Sequence, residues 1–280
     1  MSIPDAQAFD RSTWIAVDPV QARALSNARG QLHHCAQFVS GFGISFLPKA
    51  SDDSHTSARW DAERRALVSQ ASRGVAVALR LQDLTLQVVR EGHADVELPA
   101  HGASIAALEE RLRAALAGAG LDAGRYTLER HFEIPSHPVA MGSTFDASDH
   151  AAFTALAAWY ADASLLLEEV RDARHGSPVR CWPHHFDIAT LITVAPGRST
   201  GAGLSPGDGY YDEPYFYANA YPPPSASALT AAVGGGGRWH TFEWIGAVLP
   251  GSDLTHLAAN QPEQAREFFQ RSLDTLRQLS

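Results

Sequence analysis

The stretch VAVALRLQDLTLQVV, residues 75–89, decides which class of fold the sequence predicts. Two segments with alternating apolar side chains, Val75–Leu81 and Leu84–Val89, are separated by only Gln82 and Asp83. Such close spacing favours an antiparallel hairpin, because a parallel connection needs a crossover of about a dozen residues. Shorter apolar segments at 66–68 and 96–98 continue the pattern on both sides. We therefore predict an antiparallel meander through this part of the chain.

Segments with helical spacing of apolar residues flank the meander and recur later in the chain. The first helix is predicted to begin at Asp18-Pro19, an N-cap followed by proline, and to fade at Gly41 and Gly43. The remaining helices are predicted at Ser104–Ala119, Asp146–Arg174 and Glu263–Leu279, and the further strands at Tyr126–Phe132, Ile188–Val194, Tyr215–Tyr221 and Phe242–Leu249. This order predicts an α+β fold, with antiparallel sheet(s) packed against about four helices. We expect one domain over 1–280, with a weak internal boundary near 138–145.

The composition excludes several classes of protein. The chain has 280 residues and a net charge of −9, and its only lysine, Lys49, stands beside 21 arginines, as expected for a GC-rich bacterial genome. An acidic chain without a basic stripe does not favour nucleic acid. The longest apolar run, Ile188–Ala195, is far shorter than the roughly 20 residues of a membrane span.

The start of the chain and the cysteines indicate where the protein works. The first 30 residues contain acidic side chains and no apolar signal segment. Cys35 and Cys181 form no CxxC pair and are expected to be reduced thiols. We therefore predict a cytoplasmic protein whose partner is a small molecule, with neither nucleic acid nor membrane as a partner. The oligomeric state stays open.

The sharpest cluster of chemically active side chains is Cys181-Trp182-Pro183-His184-His185-Phe186-Asp187. In a strand, His185 and Asp187 would point to one face and could act as acid, base or metal ligands. A metal would need further ligands, such as Glu213 or a histidine of the first helix. A divalent transition metal is the cofactor that His185, Asp187 and Glu213 would suit. The alternative is a buried corner in which His185 and Asp187 only make hydrogen bonds.

Two other segments carry candidate binding residues. His33 and Gln37 share one face of the first helix, as a solvated edge or as an inward polar site. In the strand 215–221, Tyr215, Tyr217, Asn219 and Tyr221 alternate with Phe216, Ala218 and Ala220. Phe216 is the predicted core residue, and the tyrosines would line a polar aromatic pocket or a half-exposed face. The glycine-rich segment Gly197–Gly209 is expected to be a mobile loop over them.

These motifs together resemble a bacterial family called domain of unknown function 5996. The resemblance rests on Ser177-Pro178-Val179 through Phe186–Ala189, on Pro206-Gly207 with Asp212–Pro214 and Phe216–Ala218, and on Leu32-His33 with Gln37. His184-His185 replaces a Gly-Ser pair of the family, so this histidine pair is not a family signature. The family has no assigned activity to carry over. The resemblance implies a bacterial cytoplasmic protein and directs attention to the matched polar positions His33, Gln37, His55, Asp187 and Tyr217.

Three hypotheses about function follow. The first is an enzyme acting on a small polar molecule in a cleft, with His33 or His185 as general base or ligand and Asp187 orienting an imidazole or a metal. The second is a non-catalytic protein that binds a small ligand through Tyr215, Tyr217 and Tyr221, with Gln37 and His55 as further ligand-binding positions. The third is a polar structural core that includes Asp187 and Tyr217.

Overall fold

The computed structural model describes residues 14–91, 93 and 95–279. The chain divides into two compact units. The first unit comprises residues 24–157 and 180–187, and the second comprises the described residues up to Arg23 together with 158–179 and those from Ile188 onward. The expectation of one domain with a weak boundary near 138–145 stays a prediction.

The predicted fold class is confirmed. The described residues contain four α-helices: α1 (Ser26–Phe46), α2 (Ile105–Gly118), α3 (His150–Arg174) and α4 (Gln261–Leu279). The strands are β1 (Ala58–Asp61), β2 (Ala66–Ser69), β3 (Val75–Arg80), β4 (Thr85–Arg90), β5 (Val96–Pro99), β6 (Arg180–Trp182), β7 (Asp187–Ala195), β8 (Arg198–Ser205), β9 (Tyr215–Tyr221), β10 (Arg238–His240) and β11 (Gly246–Pro250). None of the helices among these residues is long and apolar enough to cross a membrane.

The first unit is built on the predicted meander. Its strands lie in the order β6-β1-β2-β3-β4-β5, and each neighbouring pair is antiparallel. Val77 pairs with Val88 in the hairpin of β3 and β4, and both side chains are buried. The helix predicted at 104–119 is confirmed as α2, whose first turn is capped by Ser104 Oγ accepting from Ala107 N at 3.2 Å.

The first helix differs from its prediction at both ends. A short 3-10 turn occupies Gln21–Ala24, and α1 begins only at Ser26 and then continues through both glycines to Phe46. The end predicted at Gly41 and Gly43 is wrong because packing overrides their low helix propensity. A Cβ at Gly43 would lie 1.9 Å from the carbonyl oxygen of His55, so the missing side chain lets another segment rest on the helix.

The segment Tyr126–Phe132 was predicted to be a strand and is irregular instead. Its polar groups bond to α1 rather than to a neighbouring strand. The Tyr126 hydroxyl donates to the Phe38 carbonyl at 3.0 Å, and Thr127 N donates to Ser45 Oγ at 2.9 Å. These bonds fasten the start of the segment to α1, and none of the described strands pairs with it.

The second unit has its own antiparallel strands, in the order β7-β8-β9-β11-β10. Phe216 on β9 is fully buried, as predicted, with ring centroids 5.8 Å from Trp159 of α3 and 5.6 Å from Phe269 of α4. Of the strand predicted at Phe242–Leu249, only the second half is a strand, β11, because residues 242–245 belong to the connection that follows β10.

The mobile loop predicted at Gly197–Gly209 is wrong for most of its length. Residues 198–205 form β8, an inner strand that pairs with β7 on one side and β9 on the other. The glycine content misled the prediction, because these glycines make room for neighbouring side chains rather than supplying flexibility. What remains irregular between β8 and β9 is the connection 206–214.

Candidate functional site

The Cys181–Asp187 cluster forms the end of β6, a four-residue turn and the first residue of β7. Phe186 adopts a left-handed backbone with φ of 56°, and its N–H donates to the Trp182 carbonyl at 2.7 Å. The prediction that His185 and Asp187 share a face is wrong because a turn, not a strand, connects them. His185 is exposed, whereas Asp187 is buried.

Two side chains of α1 hold this turn from inside the first unit. His33 Nε2 lies 2.9 Å from the Pro183 carbonyl, and Gln37 Nε2 donates to the same oxygen at 3.0 Å. A carbonyl only accepts, so His33 must carry its proton on Nε2. Both side chains are buried, and the His33/Gln37 pair therefore faces inward.

The electrostatics of His33 follow from this position. Burial lowers its pKa from 6.5 to about 4, helped by His34, His185 and Arg130, while the bond to the Pro183 carbonyl opposes the change. The imidazole is therefore neutral near pH 7, with its Nε2 proton engaged. A general base works best with a pKa near the operating pH, so this arrangement gives His33 no support in that role.

Gln37 carries an unusual feature of the same cluster. Its Nε2 donates to the carbonyls of His33 and Pro183, each at 3.0 Å. Its Oε1 is buried and makes no hydrogen bond within the residues that the structure describes. A buried acceptor in this state costs about 1–3 kcal/mol. This atom is available to a donor from water or from a bound molecule.

The exposed side of the turn carries further imidazoles. The His184 ring lies 4.3 Å from that of His185 and 5.9 Å from that of Phe132. Burial and the neighbouring His185 lower the pKa of His184. His131 Nε2 lies 3.0 Å from Asp53 Oδ2.

A metal site gains no support from this arrangement. Among the described residues there is no group of three or more His, Cys, Asp or Glu side chains placed to hold a metal ion. The ligand set His185, Asp187 and Glu213 therefore stays a prediction. Glu213 accepts from Ser252 N at 2.6 Å and from Ser252 Oγ at 3.0 Å, so its carboxylate fastens a loop within the second unit.

His55 has a local structural contact. It lies buried in a 3-10 turn, and its Nδ1 accepts from Ala50 N at 3.3 Å. Its carbonyl is the group that rests on Gly43 of α1. The ligand-binding role expected for His55 stays a prediction, while these contacts stabilise the path of the chain between α1 and β1.

The tyrosines of β9 lie on the face opposite Phe216, as their alternation predicts. Tyr217 is paired with Gly203 of β8, and a Cβ there would come within 2.5 Å of the Tyr217 ring and hydroxyl. Asn219 lies over Gly201 in the same way, with Oδ1 2.5 Å from the position of such a Cβ. Both side chains therefore lie across β8 and remain partly exposed.

The other two tyrosines of this face differ in exposure. Tyr221 is 68% exposed, whereas Tyr215 is buried and its hydroxyl donates to Asp208 Oδ2 at 2.6 Å. Asp208 Oδ1 also accepts the backbone N–H groups of Tyr210 and Tyr211, at 2.8 and 3.1 Å. One carboxylate thus fixes the loop before β9 and the start of the tyrosine face.

Sequence reasoning missed the aromatic groups that extend this face. The His240 ring is stacked on Trp244 at 4.3 Å, and its Nδ1 lies 3.0 Å from the Tyr211 hydroxyl. His240 Nε2 lies 2.6 Å from the carbonyl of Phe242, so Nε2 is the donor and Nδ1 accepts from Tyr211. The clustering of His240, Phe242 and Trp244 in the sequence was the available signal.

Tyr210 completes the aromatic group. Its hydroxyl donates to Glu243 Oε2 at 2.7 Å, and this bond raises its pKa. Its ring is 44% exposed and lies 5.4 Å from His240. We call the surface formed by Tyr210, Tyr211, Tyr215, Tyr217, Asn219, Tyr221, His240 and Trp244 the tyrosine face.

Comparisons with known proteins add no relative. No family model, no curated protein and no solved structure matches the chain. The resemblance to domain of unknown function 5996 stays a prediction.

Proposed function

We propose that the protein binds a small molecule, without catalysis, on the tyrosine face of its second unit. The observation that carries this proposal is the position of Tyr217 and Asn219 over the glycines of β8. A ring and an amide lying across a strand offer a flat apolar contact next to a hydrogen-bonding group. Ligand sites commonly combine aromatic walls with a few polar groups in this way.

The hydrogen bonds of the neighbouring rings support the proposal. Tyr215, Tyr211 and Tyr210 donate to Asp208, His240 and Glu243, respectively. These bonds fix the rings before any ligand arrives, and a fixed surface loses less conformational entropy on binding. The expected ligand is a small ring compound that stacks on Tyr217 and exchanges hydrogen bonds with Asn219.

The proposal keeps the predicted tyrosine residues of the pocket and changes the segment that could cover them. A lid over the tyrosines would have to come from the connection 206–214, since residues 198–205 belong to β8. A bacterial origin, a cytoplasmic location and a small molecule as partner belong to the proposal, as does membership of the family that the sequence resembles.

A thermal-shift screen with ring-containing metabolites tests the proposal. A compound that raises the melting temperature of the wild-type chain should lose its effect in Tyr217→Ala. Phe242→Ala is the matched control, because Phe242 is an exposed aromatic residue, 68% accessible, in the β10–β11 connection. A hit retained by Tyr217→Ala, or lost equally in Phe242→Ala, would refute the tyrosine face as the site.

The enzyme hypothesis keeps one specific observation in its favour. The buried Gln37 Oε1 has no bonding partner within the described residues, and the exposed His185 lies on the turn that Gln37 holds. We therefore retain, as the second candidate, an enzyme acting on a small polar molecule with His185 as acid or base. Activity on a hydrolase panel that disappears in His185→Gln but persists in Tyr217→Ala would favour it over ligand binding.

A further inference from the structure

A cavity of about 490 Å³ lies within the second unit, apart from the tyrosine face. It is bordered by the last turns of α3 and α4 and by the strands β7 and β8. Ile192, Val194 and Leu273 supply apolar lining, and both Ile192 and Leu273 are buried. The volume falls within the range of about 300–1,000 Å³ that is typical of small-molecule sites.

One polar side chain lines this cavity without a hydrogen-bonding partner among the described residues. Thr200 lines the cavity and is only 2% exposed. Within the residues that the structure describes, its hydroxyl makes no hydrogen bond. The hydroxyl of Thr200 is therefore placed to bond a molecule that enters.

The charge at the cavity is positive. Arg174 is neutralised by Asp274, with Nη2 and Oδ1 3.0 Å apart. Arg277 also lines the cavity and makes no ion pair within the described part of the chain. The carboxyl ends of helices carry about half a negative charge, which opposes an anion. At the end of α3 this partial negative charge is reduced, because Gly176 N donates to the Arg171 carbonyl at 2.9 Å. The full positive charge of the Arg277 guanidinium is larger than the partial negative charge that remains.

We propose that this cavity binds a small organic carboxylate with an apolar tail. The carboxylate would bond to the guanidinium of Arg277 and to the hydroxyl of Thr200, and the tail would lie against Ile192, Val194 and Leu273. Arginine suits this role because its planar group matches a carboxylate with two parallel hydrogen bonds. The site is independent of the function proposed for the tyrosine face.

Isothermal titration of the full chain with hexanoate tests the proposal. A ligand of this size should bind with a dissociation constant of about 1 mM. Hexanol supplies the tail without the charge, and inorganic phosphate supplies charge without the tail. Each should bind at least about tenfold more weakly than hexanoate, because hexanol lacks the carboxylate and phosphate lacks the apolar tail.

Three variants locate the binding. Arg277→Gln should weaken hexanoate about tenfold, and the isosteric Thr200→Val should weaken it about threefold. Arg271→Gln is the matched control on the same helix, because Arg271 is paired with Glu267 and is not part of the cavity lining. It should leave hexanoate binding unchanged.

Several results would overturn the proposal. These are equal binding of hexanol and hexanoate, equal losses in Arg277→Gln and Arg271→Gln, or the absence of saturable binding up to about 20 mM. Because Arg277 is exposed, its substitution should not prevent folding. The comparison of Arg277→Gln with Arg271→Gln therefore still tests the proposal if Thr200→Val fails to fold.

Discussion

The buried, neutral His33 should make the first unit sensitive to acid. In the folded chain its pKa is lowered from 6.5 to about 4 by burial, assisted by His34 on the same helix, by His185 on the turn and by Arg130. A depressed histidine pKa means that the unfolded chain binds the proton more readily. Stability is therefore complete above pH 6.5 and is lost as the pH falls from 6.5 towards 4.

The magnitude follows from the difference between the two pKa values. Each unit corresponds to 1.36 kcal/mol, so His33 alone should remove about 2 kcal/mol of stability at pH 5 and about 3 kcal/mol at pH 4. The substitution His33→Gln removes this loss, because the glutamine Nε2 can still donate to the Pro183 carbonyl while the side chain stays neutral. His34 also lowers the stability of the folded chain in acid, because burial lowers its pKa as well. This loss of stability remains in the His33→Gln variant.

Hydrogen exchange of the α1 amides at pH 7.5 and pH 5 measures the loss of stability at the helix that contains His33. A local measurement is needed because the chain has two units, and one global unfolding transition does not describe such a chain reliably. The opening free energy of the wild-type chain should fall by about 2 kcal/mol more than that of His33→Gln. The control is His93→Gln, which changes an exposed histidine. If the wild-type chain and His33→Gln lose the same stability within about 0.5 kcal/mol, the buried neutral state assigned to His33 is wrong.

Three further substitutions test the packing and the candidate metal ligand. Gly43→Ala should destabilise the chain by about 3 kcal/mol, because its Cβ would lie 1.9 Å from the His55 carbonyl oxygen. Gly118→Ala, where a Cβ meets nothing within 4 Å, should instead be neutral or slightly stabilising in urea unfolding. Glu213→Gln should lower stability by about 1–2 kcal/mol through its weakened bonds to Ser252. It should leave the metal content of untagged protein unchanged, and a fall in that content would support Glu213 as a ligand.

The parts of the fold that the sequence predicts well depend on local pattern. The hairpin of β3 and β4 has its alternation, its turn and its partner within one short stretch, so residues 75–89 suffice to identify it. The cap of α2 at Ser104 is equally local. The alternation of β9 likewise separates Phe216 from the tyrosines correctly, because the period of two is a property of any strand.

The parts that sequence reasoning missed depend on contacts between distant segments. The sequence of β8, RSTGAGLS, has low strand propensity, and it forms a strand because β7 and β9 supply partners on both sides. The left-handed backbone of Phe186 leaves no trace in the sequence, so the separation of His185 from Asp187 could not be anticipated. Likewise, nothing in the pattern of α1 indicates that one carbonyl, that of Pro183, engages His33.

The glycines of α1 and β8 acquire a common explanation from the structure. Gly43 lies in a helix and Gly203 in a strand, and neither supplies a turn. At each, a Cβ would occupy space that another group fills, the His55 carbonyl at one and the Tyr217 ring at the other. A lid of flexible glycines would have left the tyrosines mobile beneath it. Glycines in an inner strand instead let Tyr217 lie across β8, and the proposed ligand site rests on this position.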